Sequence, residues 1–426
     1  MENSCKMEKF SHQIEKNYKV NFYANIFDGS FFALGMGFVS LSTILPLFVK
    51  QLTDSKFLIS LITATLMFGA NIPQLFAARK IEGLYRKKKV VLLLGLLQRL
   101  PWLCLAILTY VLTPEYQNWL LVIFFVCWGL YSVAGGLVGP AWFDLVSKVI
   151  PVDRRGRFFG YRTFLSSILQ VLGALGAGYI IKSFNFPFSF TVLFTLAFIA
   201  LMISYLFLLV IKEPAYPTVN QKQGFREYFK KLPMILKEKV NFRNYLLCVF
   251  FIQFIGMSNG LFTVAGIERL GLTDKIASDV VGTFTILLIV SQSLTNIFWG
   301  HVSDRYGHKL VMTLCAAFNS IGVLIALFAQ SIMAFYFVFI ITGIALGAQK
   351  VSFLTIIPEF CNPEERPTYV AITNTVSGLT IACVSLLGGL LADLFNYQIV
   401  FGISFLMVAI GAGLLLTKVY DPRDIS

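Results

Sequence analysis

The sequence predicts an all-α integral membrane protein that crosses the bilayer twelve times, and three observations carry that expectation. Of 426 residues, 57% are hydrophobic and only 13% charged, against roughly 25% charged in an ordinary soluble domain. Apolar segments of the ~20 residues needed to cross ~30 Å of hydrocarbon recur along the whole chain. The basic residues gather in alternate connections, as they do when one side of a membrane is favoured. A backbone in lipid must satisfy its own hydrogen bonds, and segments of this length do so as helices.

The expected spans are 22–49, 55–78, 90–112, 117–147, 159–182, 187–211, 243–267, 277–299, 310–329, 332–359, 369–394 and 396–417. Several exceed the minimum length, which implies tilt or projecting ends. A polar tail of mixed charge, 1–21, precedes them. It lacks the apolar core of a cleavable signal peptide, so the first span is expected to stay in the chain. The longest polar interval, 212–242, divides the spans into two lobes of six, 22–211 and 243–417, and a tail follows at 418–426. The interval contains "FREYFKKLPMILKEK", with basic residues among Phe225, Phe229, Leu232 and Ile235. It reads as a short helix on the inner membrane surface, broken near Pro233, or as a solvated linker.

The net charge is +13. Of the 35 Lys and Arg residues, 28 fall in the tails and connections that twelve crossings put on one side, and only Lys50, Lys56, Lys182, Arg269 and Lys275 fall on the other. This bias places both termini in the cytoplasm. It also accounts for the basic total without nucleic acid. The seven cysteines are scattered singly, with no CxxC pair or His-spaced cluster, so neither a disulfide framework nor a metal site is expected. No GxxxxGK[ST] loop is present, so neither ATP nor another cofactor is called for. No extended polar domain offers room for catalytic residues, and an enzyme is not expected.

Three charges stand out deep inside spans: Asp28 in "NIFDGSFFALG", Arg99 in "LLQRLPW" and Lys350 in "ITGIALGAQKVSFLTIIPEF". A charge near mid-bilayer costs at least ~2.5 kcal/mol, so such residues face the protein interior or a wet cavity and pair with something. Counted from the end of a span reaching 359, Lys350 lies about 9 residues deep, or ~13 Å along the axis, more than a lysine can fully snorkel. It is a substrate contact or a structural lysine paired with a helix carbonyl. Asp28 is a proton-coupling residue or a fixed ion-pair partner. Burial disfavours the charged carboxylate and a nearby cation favours it, so alternating exposure could load and release a proton. Arg99, at comparable depth, contacts substrate or bonds Asp28 within its own lobe. Pro101 after it can kink the helix. Asn71, Gln74 and Gln292 read as contacts between helices, and the glycine-rich "GLYSVAGGLVGP" and "LGALGAGYI" as close packing.

Matching junctions recur about 210–220 residues apart, as expected of duplicated six-helix units. "GHVSDRYGHK", Gly300 to Lys309, follows span eight, and "ARKIEGLYRKKK", Ala78 to Lys89, follows span two; Asp304 falls opposite Glu82. "PVDRRGRFFGYR" and "NPEERPTYV" likewise set Arg155 opposite Arg366. On these residues the sequence resembles the major facilitator superfamily of secondary transporters, of bacterial type, over nearly its whole length. Gly300, Asp304, Arg305, Gly307 and Lys309 match the family's loop Gly-x-x-x-Asp-Arg/Lys-x-Gly-Arg/Lys-Arg/Lys. The first copy has Ala78 and Tyr85 in place of its glycines.

The resemblance implies two pseudo-symmetric lobes that rock around a central cavity lined by helices one, four, seven and ten. It makes Lys350 the first substrate-binding candidate, with Arg99, Trp128, Tyr131, Gln253, Asn259 and Phe262 as further ones; the aromatic members can equally face lipid. It assigns gating to Glu82, Asp304 and the rest of the signature loop, and inner-surface clamping or phospholipid contact to Arg155, Arg157 and Arg366. Asp144, near the inner end of span four, joins that gate. The expected activity is alternating-access transport of a small anionic or zwitterionic metabolite, coupled to protons or another ion, by a monomer in the inner or plasma membrane. Efflux of amphiphilic drugs or lipid flipping is the alternative, and a non-transporting receptor or scaffold is an alternative of another class.

Overall fold

The computed structural model of the chain describes residues 2–82, 84–112, 116–151, 154–215, 235–361 and 366–420, without the side chains of 2–11, 75–82, 156, 274–275 and 367. Regular structure among them is helical. In chain order the helices are α1 (Glu2–Phe38), α2 (Ile44–Leu52), α3 (Lys56–Glu82), α4 (Lys88–Leu112), α5 (Gln117–Val149), α6 (Arg155–Ser183), α7 (Phe188–Val210), α8 (Val240–Ile252), α9 (Gly256–Asn259), α10 (Phe262–Arg269), α11 (Asp274–Tyr306), α12 (His308–Phe328), α13 (Ile332–Ser352), α14 (Arg366–Leu394) and α15 (Tyr397–Lys418). Eleven helical segments among the described residues are long and apolar enough to cross a membrane, with Val240–Arg269 counted as one. Leu93, Trp119, Tyr179, Phe328 and Leu394 stand exposed on them, an apolar exterior that suits lipid and not water.

The expected first span, 22–49, is not one rod. It is the second half of α1 followed by α2, with a break at residues 39–43. Pro46 supplies the reason: it lacks an N–H, and its ring would strike the carbonyl four residues back, that of Ser42. The helix therefore restarts so that Pro46 falls in its first turn. The released Ser42 carbonyl accepts a hydrogen bond from the Thr263 hydroxyl at 2.8 Å. The seventh span is broken too, by a 3₁₀ turn at Gln253–Ile255. The tenth ends as a helix at Ser352, not at 359; beyond it come turns and a 3₁₀ segment at Ile357–Glu359 that includes Pro358. Helix α4 runs through Pro101 without interruption. The surface helix expected around Pro233 falls on residues outside those described.

The chain forms two compact units, Met1–Ser40 with Phe68–Gln223, and Leu41–Met67 with Gly224–Ser426. In the first, α1 packs on α6 and α7, and α4 on α5 and α7. The same four pairings recur in the second as α9 on α14, α8 on α15, and α12 on α13 and α15. The glycine-rich stretch of α6 lets it approach α1 closely. A Cβ on Gly37 would stand 3.0 Å from the Gly173 Cα, so no larger residue fits there. Cys104, Cys127, Cys248, Cys315, Cys361 and Cys383 are free thiols.

One end of the first unit is tied by a buried carboxylate. Glu213 accepts from the backbone N–H groups of Lys87 and Lys88 at 2.8 and 2.9 Å, the helix-start donors that α4 leaves unpaired. It also meets Lys148 Nζ at 2.8 Å, with both side chains at or below 1% exposure. Lys148 donates further to the Tyr85 carbonyl at 2.9 Å. Just before it, Lys212 exchanges two hydrogen bonds with the Asn21 side chain. The beginning of the polar interval is thus part of the bundle. Removing one partner of a buried, hydrogen-bonded pair costs ~3–5 kcal/mol. Glu213→Gln is therefore expected to lower the thermal unfolding midpoint of the purified protein clearly, while Lys237→Gln, at an exposed position, leaves it unchanged.

Candidate functional site

Helix α1 carries Asn21, Asn25 and Asp28 at helical spacing, which sets them along one face. All three are buried. Asn25 donates to the Asn21 carbonyl at 2.8 Å, and Asp28 is the stripe's only formal charge. Four other helices of the first unit supply its surroundings. Ser204 on α7 donates its hydroxyl to Asp28 Oδ1 at 2.7 Å. Trp142 on α5 directs its indole N–H at Oδ2, 3.4 Å away. Arg99 on α4 places Nη2 at 3.9 Å from Oδ1 and donates to the Ser204 oxygen at 2.9 Å. Arg162 on α6 donates from Nε to the Asn25 carbonyl at 3.3 Å and lies over the Trp142 ring, 4.5 Å from its centroid.

Arg99 and Asp28 therefore meet inside their own unit, bridged by a hydroxyl. The Arg99 guanidinium is engaged on every side. Nε donates to the Leu201 carbonyl and Nη1 to the Gly95 carbonyl, both at 2.7 Å, and the rings of Tyr205 and Phe32 cover it at 5.4 and 5.9 Å. Two bonds to backbone carbonyls hold it in place beside Asp28. The cluster holds one carboxylate and two guanidinium groups among apolar helices, an arrangement that attracts a further negative charge. Ser204, Trp142 and Arg162 were not among the sequence candidates. The 21–25–28 stripe was a legible signal for the α1 face; a lone serine in "LMISYLFLL" and a basic residue at the start of a span carried none.

The other binding candidates are differently placed. Trp128 and Tyr131 are buried, stacked on each other at 5.1 Å and packed edge-on to Trp102, with the Tyr131 hydroxyl against the Met36 sulfur at 3.2 Å. Phe262 is buried beside Phe339 and Phe401. These three fill cores. Gln253 donates to Ser377 at 2.5 Å. Asn259, the last residue of α9, keeps its side-chain oxygen buried with no hydrogen-bond partner among the described residues. Lys350 stands exposed in the last turn of α13. The depth expected for it is not found, because that reckoning carried the helix on to residue 359.

Among the gating candidates, Asp144 pairs with Lys87 at 2.9 Å. Arg155 donates to the carbonyls of Ile150 and Ser147 at the end of α5. Gly307 has φ +91, the region that favours glycine, and it makes the turn from α11 into α12. Gly300 has open space where a Cβ would stand. Asp304, Arg305 and Arg366 are exposed and Lys309 half-buried. The Glu82 side chain lies outside the described residues.

A second charged group lies in the other unit, at the start of α3. Lys50 meets Glu268 at 2.6 Å and Asp54 at 2.7 Å, and the Tyr397 hydroxyl donates to Glu268 at 2.8 Å. Asp393 accepts from the N–H groups of Lys56 and Phe57 at 2.8 and 2.9 Å, capping α3 from the far end of α14. The hydrogen bond and charge of Lys50 hold the Asp54 carboxyl below the usual carboxylate range.

A family model described as Major Facilitator Superfamily matches residues 29–290 and 246–425. The chain is 23% identical over 399 residues to Multidrug resistance protein 2 of Bacillus subtilis (strain 168), covering 92% of each. Its fold is similar to the crystal structure of a D-xylose-proton symporter, with a TM-score of 0.72, 16% identity and coverage of 95% of this chain and 98% of that one. It is also similar to that of the nucleoside transporter NupG, with a TM-score of 0.67, 14% identity and coverage of 93% and 99%.

The bridging hydroxyl of Ser204 serves a carboxylate and a guanidinium together. A buried polar group left unsatisfied costs ~1–3 kcal/mol, and more when charged. Ser204→Ala is expected to destabilise the protein by at least that much in thermal unfolding, whereas Ser189→Ala, equally buried on the same helix, costs less.

Proposed function

The chain belongs to the Major Facilitator Superfamily, a family of membrane transport proteins and not of catalysts, and from that premise we propose that it carries a small anionic or zwitterionic metabolite by proton-coupled alternating access. The observation that carries this reading is the buried group of one carboxylate and two guanidiniums, Asp28, Arg99 and Arg162. Its excess positive charge suits an anion, and its one acid suits a proton. We assign the coupling role to Asp28, whose oxygens meet a hydroxyl and an indole N–H that remain compatible with either protonation state. Arg99 holds the field around it. We read Asp144, Arg155, Asp304, Arg305 and Arg366 as gate contacts. The segment from residue 22 through α2 serves as the first of twelve crossings in two pseudo-symmetric lobes. Both termini are cytoplasmic, in the cell membrane, and the working unit is a monomer.

Export of amphiphilic drugs is the second reading, favoured by the likeness to Multidrug resistance protein 2. The two readings separate in reconstituted vesicles under an imposed pH gradient. Small carboxylates and phosphate esters are expected to accumulate and amphiphilic cations are not; the reverse result establishes the second reading. Asp28→Asn is expected to abolish gradient-driven accumulation while ligand binding persists. Accumulation that stays pH-dependent in that variant removes Asp28 from the coupling role.

A further inference from the structure

We propose that Arg162 is the residue that grips the transported anion, its two terminal nitrogens taking a carboxylate or phosphate in a two-pronged contact. This rests on the carrier reading above and names the side chain within it. Both arginines of the cluster face Asp28, but they are held in opposite ways. Arg99 spends Nε, Nη1 and Nη2 on Leu201, Gly95 and Ser204. Arg162 is anchored by Nε alone, on the Asn25 carbonyl. Among the described residues Nη1 and Nη2 have no hydrogen-bond partner, and Arg162 is only half-buried. A planar guanidinium with two open donors matches the two oxygens of a carboxylate or phosphate.

The side chain is also aimed. Its plane lies over the Trp142 indole, and its back rests on the bare Cα of Gly29, where any Cβ would fall on the guanidinium. Asp28 does not consume the open donors. Its Oδ1 is bonded by Ser204 and its Oδ2 faces the Trp142 N–H. One unit of positive charge is thus left over beside two unused donors. Arg162 is the eighth residue of α6, about 10 Å along the axis from the helix start. A lipid headgroup phosphate offers the same chemistry as a soluble anion, so the source of the anion must be tested separately.

The test uses the full chain in nanodiscs and follows ligand-induced shifts of the unfolding midpoint. Benzoate and phenyl phosphate serve as probes, each against a neutral twin, benzamide and benzyl alcohol. The parent is expected to be stabilised by the anions only. Arg162→Gln loses that stabilisation at least tenfold in apparent affinity, Arg162→Lys retains a weakened part, and Lys182→Gln, exposed on the same helix, retains all of it. Asp28→Asn removes the competing carboxylate and tightens anion binding. Since the lysine variant preserves charge and bulk, it keeps the comparison valid if the glutamine variant fails to fold. Anion binding equal to the parent in both Arg162 variants overturns the assignment. Repeating the titration in phosphatidylcholine alone and with phosphatidylglycerol separates the sources. If the Arg162-dependent stabilisation follows the anionic lipid and not the soluble probes, the transported anion is not its ligand and the proposal falls. Arg162-dependent binding without vesicle uptake of any probe defeats the carrier reading and leaves the anion site standing. Pumping by Arg162→Gln at the parent's rate does the opposite.

Discussion

A carboxylate and two guanidinium groups are held inside a bundle of apolar helices, and the rest of the first unit is arranged around what that costs. Each such charge is expensive away from water, and an ion pair repays desolvation only when its remaining donors and acceptors are met. Asp28 therefore draws in a hydroxyl from α7, an indole from α5 and a cation from α4. Five of the unit's helices converge on one carboxylate. The convergence is selective: Arg99 is bonded through all three of its nitrogens, and Arg162 through one. A bundle that merely tolerated charge would satisfy both.

The ends of the helices obey the same economy with different parts. Two helix starts, those of α4 and α3, are capped by carboxylates from distant segments, Glu213 and Asp393. A negative charge there meets both unpaired N–H donors and the positive end of the helix dipole. Each cap ties a helix end to a neighbour outside the apolar layer. Lys148 completes the first cap as a buried pair. Around the second, Lys50, Glu268 and Tyr397 form a more exposed group, where ion pairs contribute less. Charge is thus used structurally at the helix ends, and we read the charge of Asp28 and Arg162 within the bundle as what remains for chemistry.

Likeness to solved structures at 14–16% identity establishes the shared fold and leaves the cargo to the site. A fold hosts many functions, and specificity resides in particular side chains. We read the polar stripe on α1 and the open guanidinium on α6 as the features on which this chain's own selectivity turns.

Most of the architecture was legible from residue order alone. Long apolar runs and the Gly300–Lys309 loop reflect local chemistry: hydrocarbon length and a turn that needs glycine at 307. The same reasoning flagged Asp28 and Arg99, because a charge in an apolar run is conspicuous wherever it points. Position along a helix does not disclose which way a side chain faces its neighbours. Arg162 looked like one more basic residue at a span's edge, and Ser204 like one polar interruption; only the rotation of α6 and α7 against α1 brings them to Asp28. Lys350 shows the converse. Its depth depended on where a helix stopped, and the apolar run to Phe360 conceals the end at Ser352. Hydrophobicity sets which segments leave water, whereas the mutual rotation and the end points of helices are set by packing and hydrogen bonding between residues far apart in the chain.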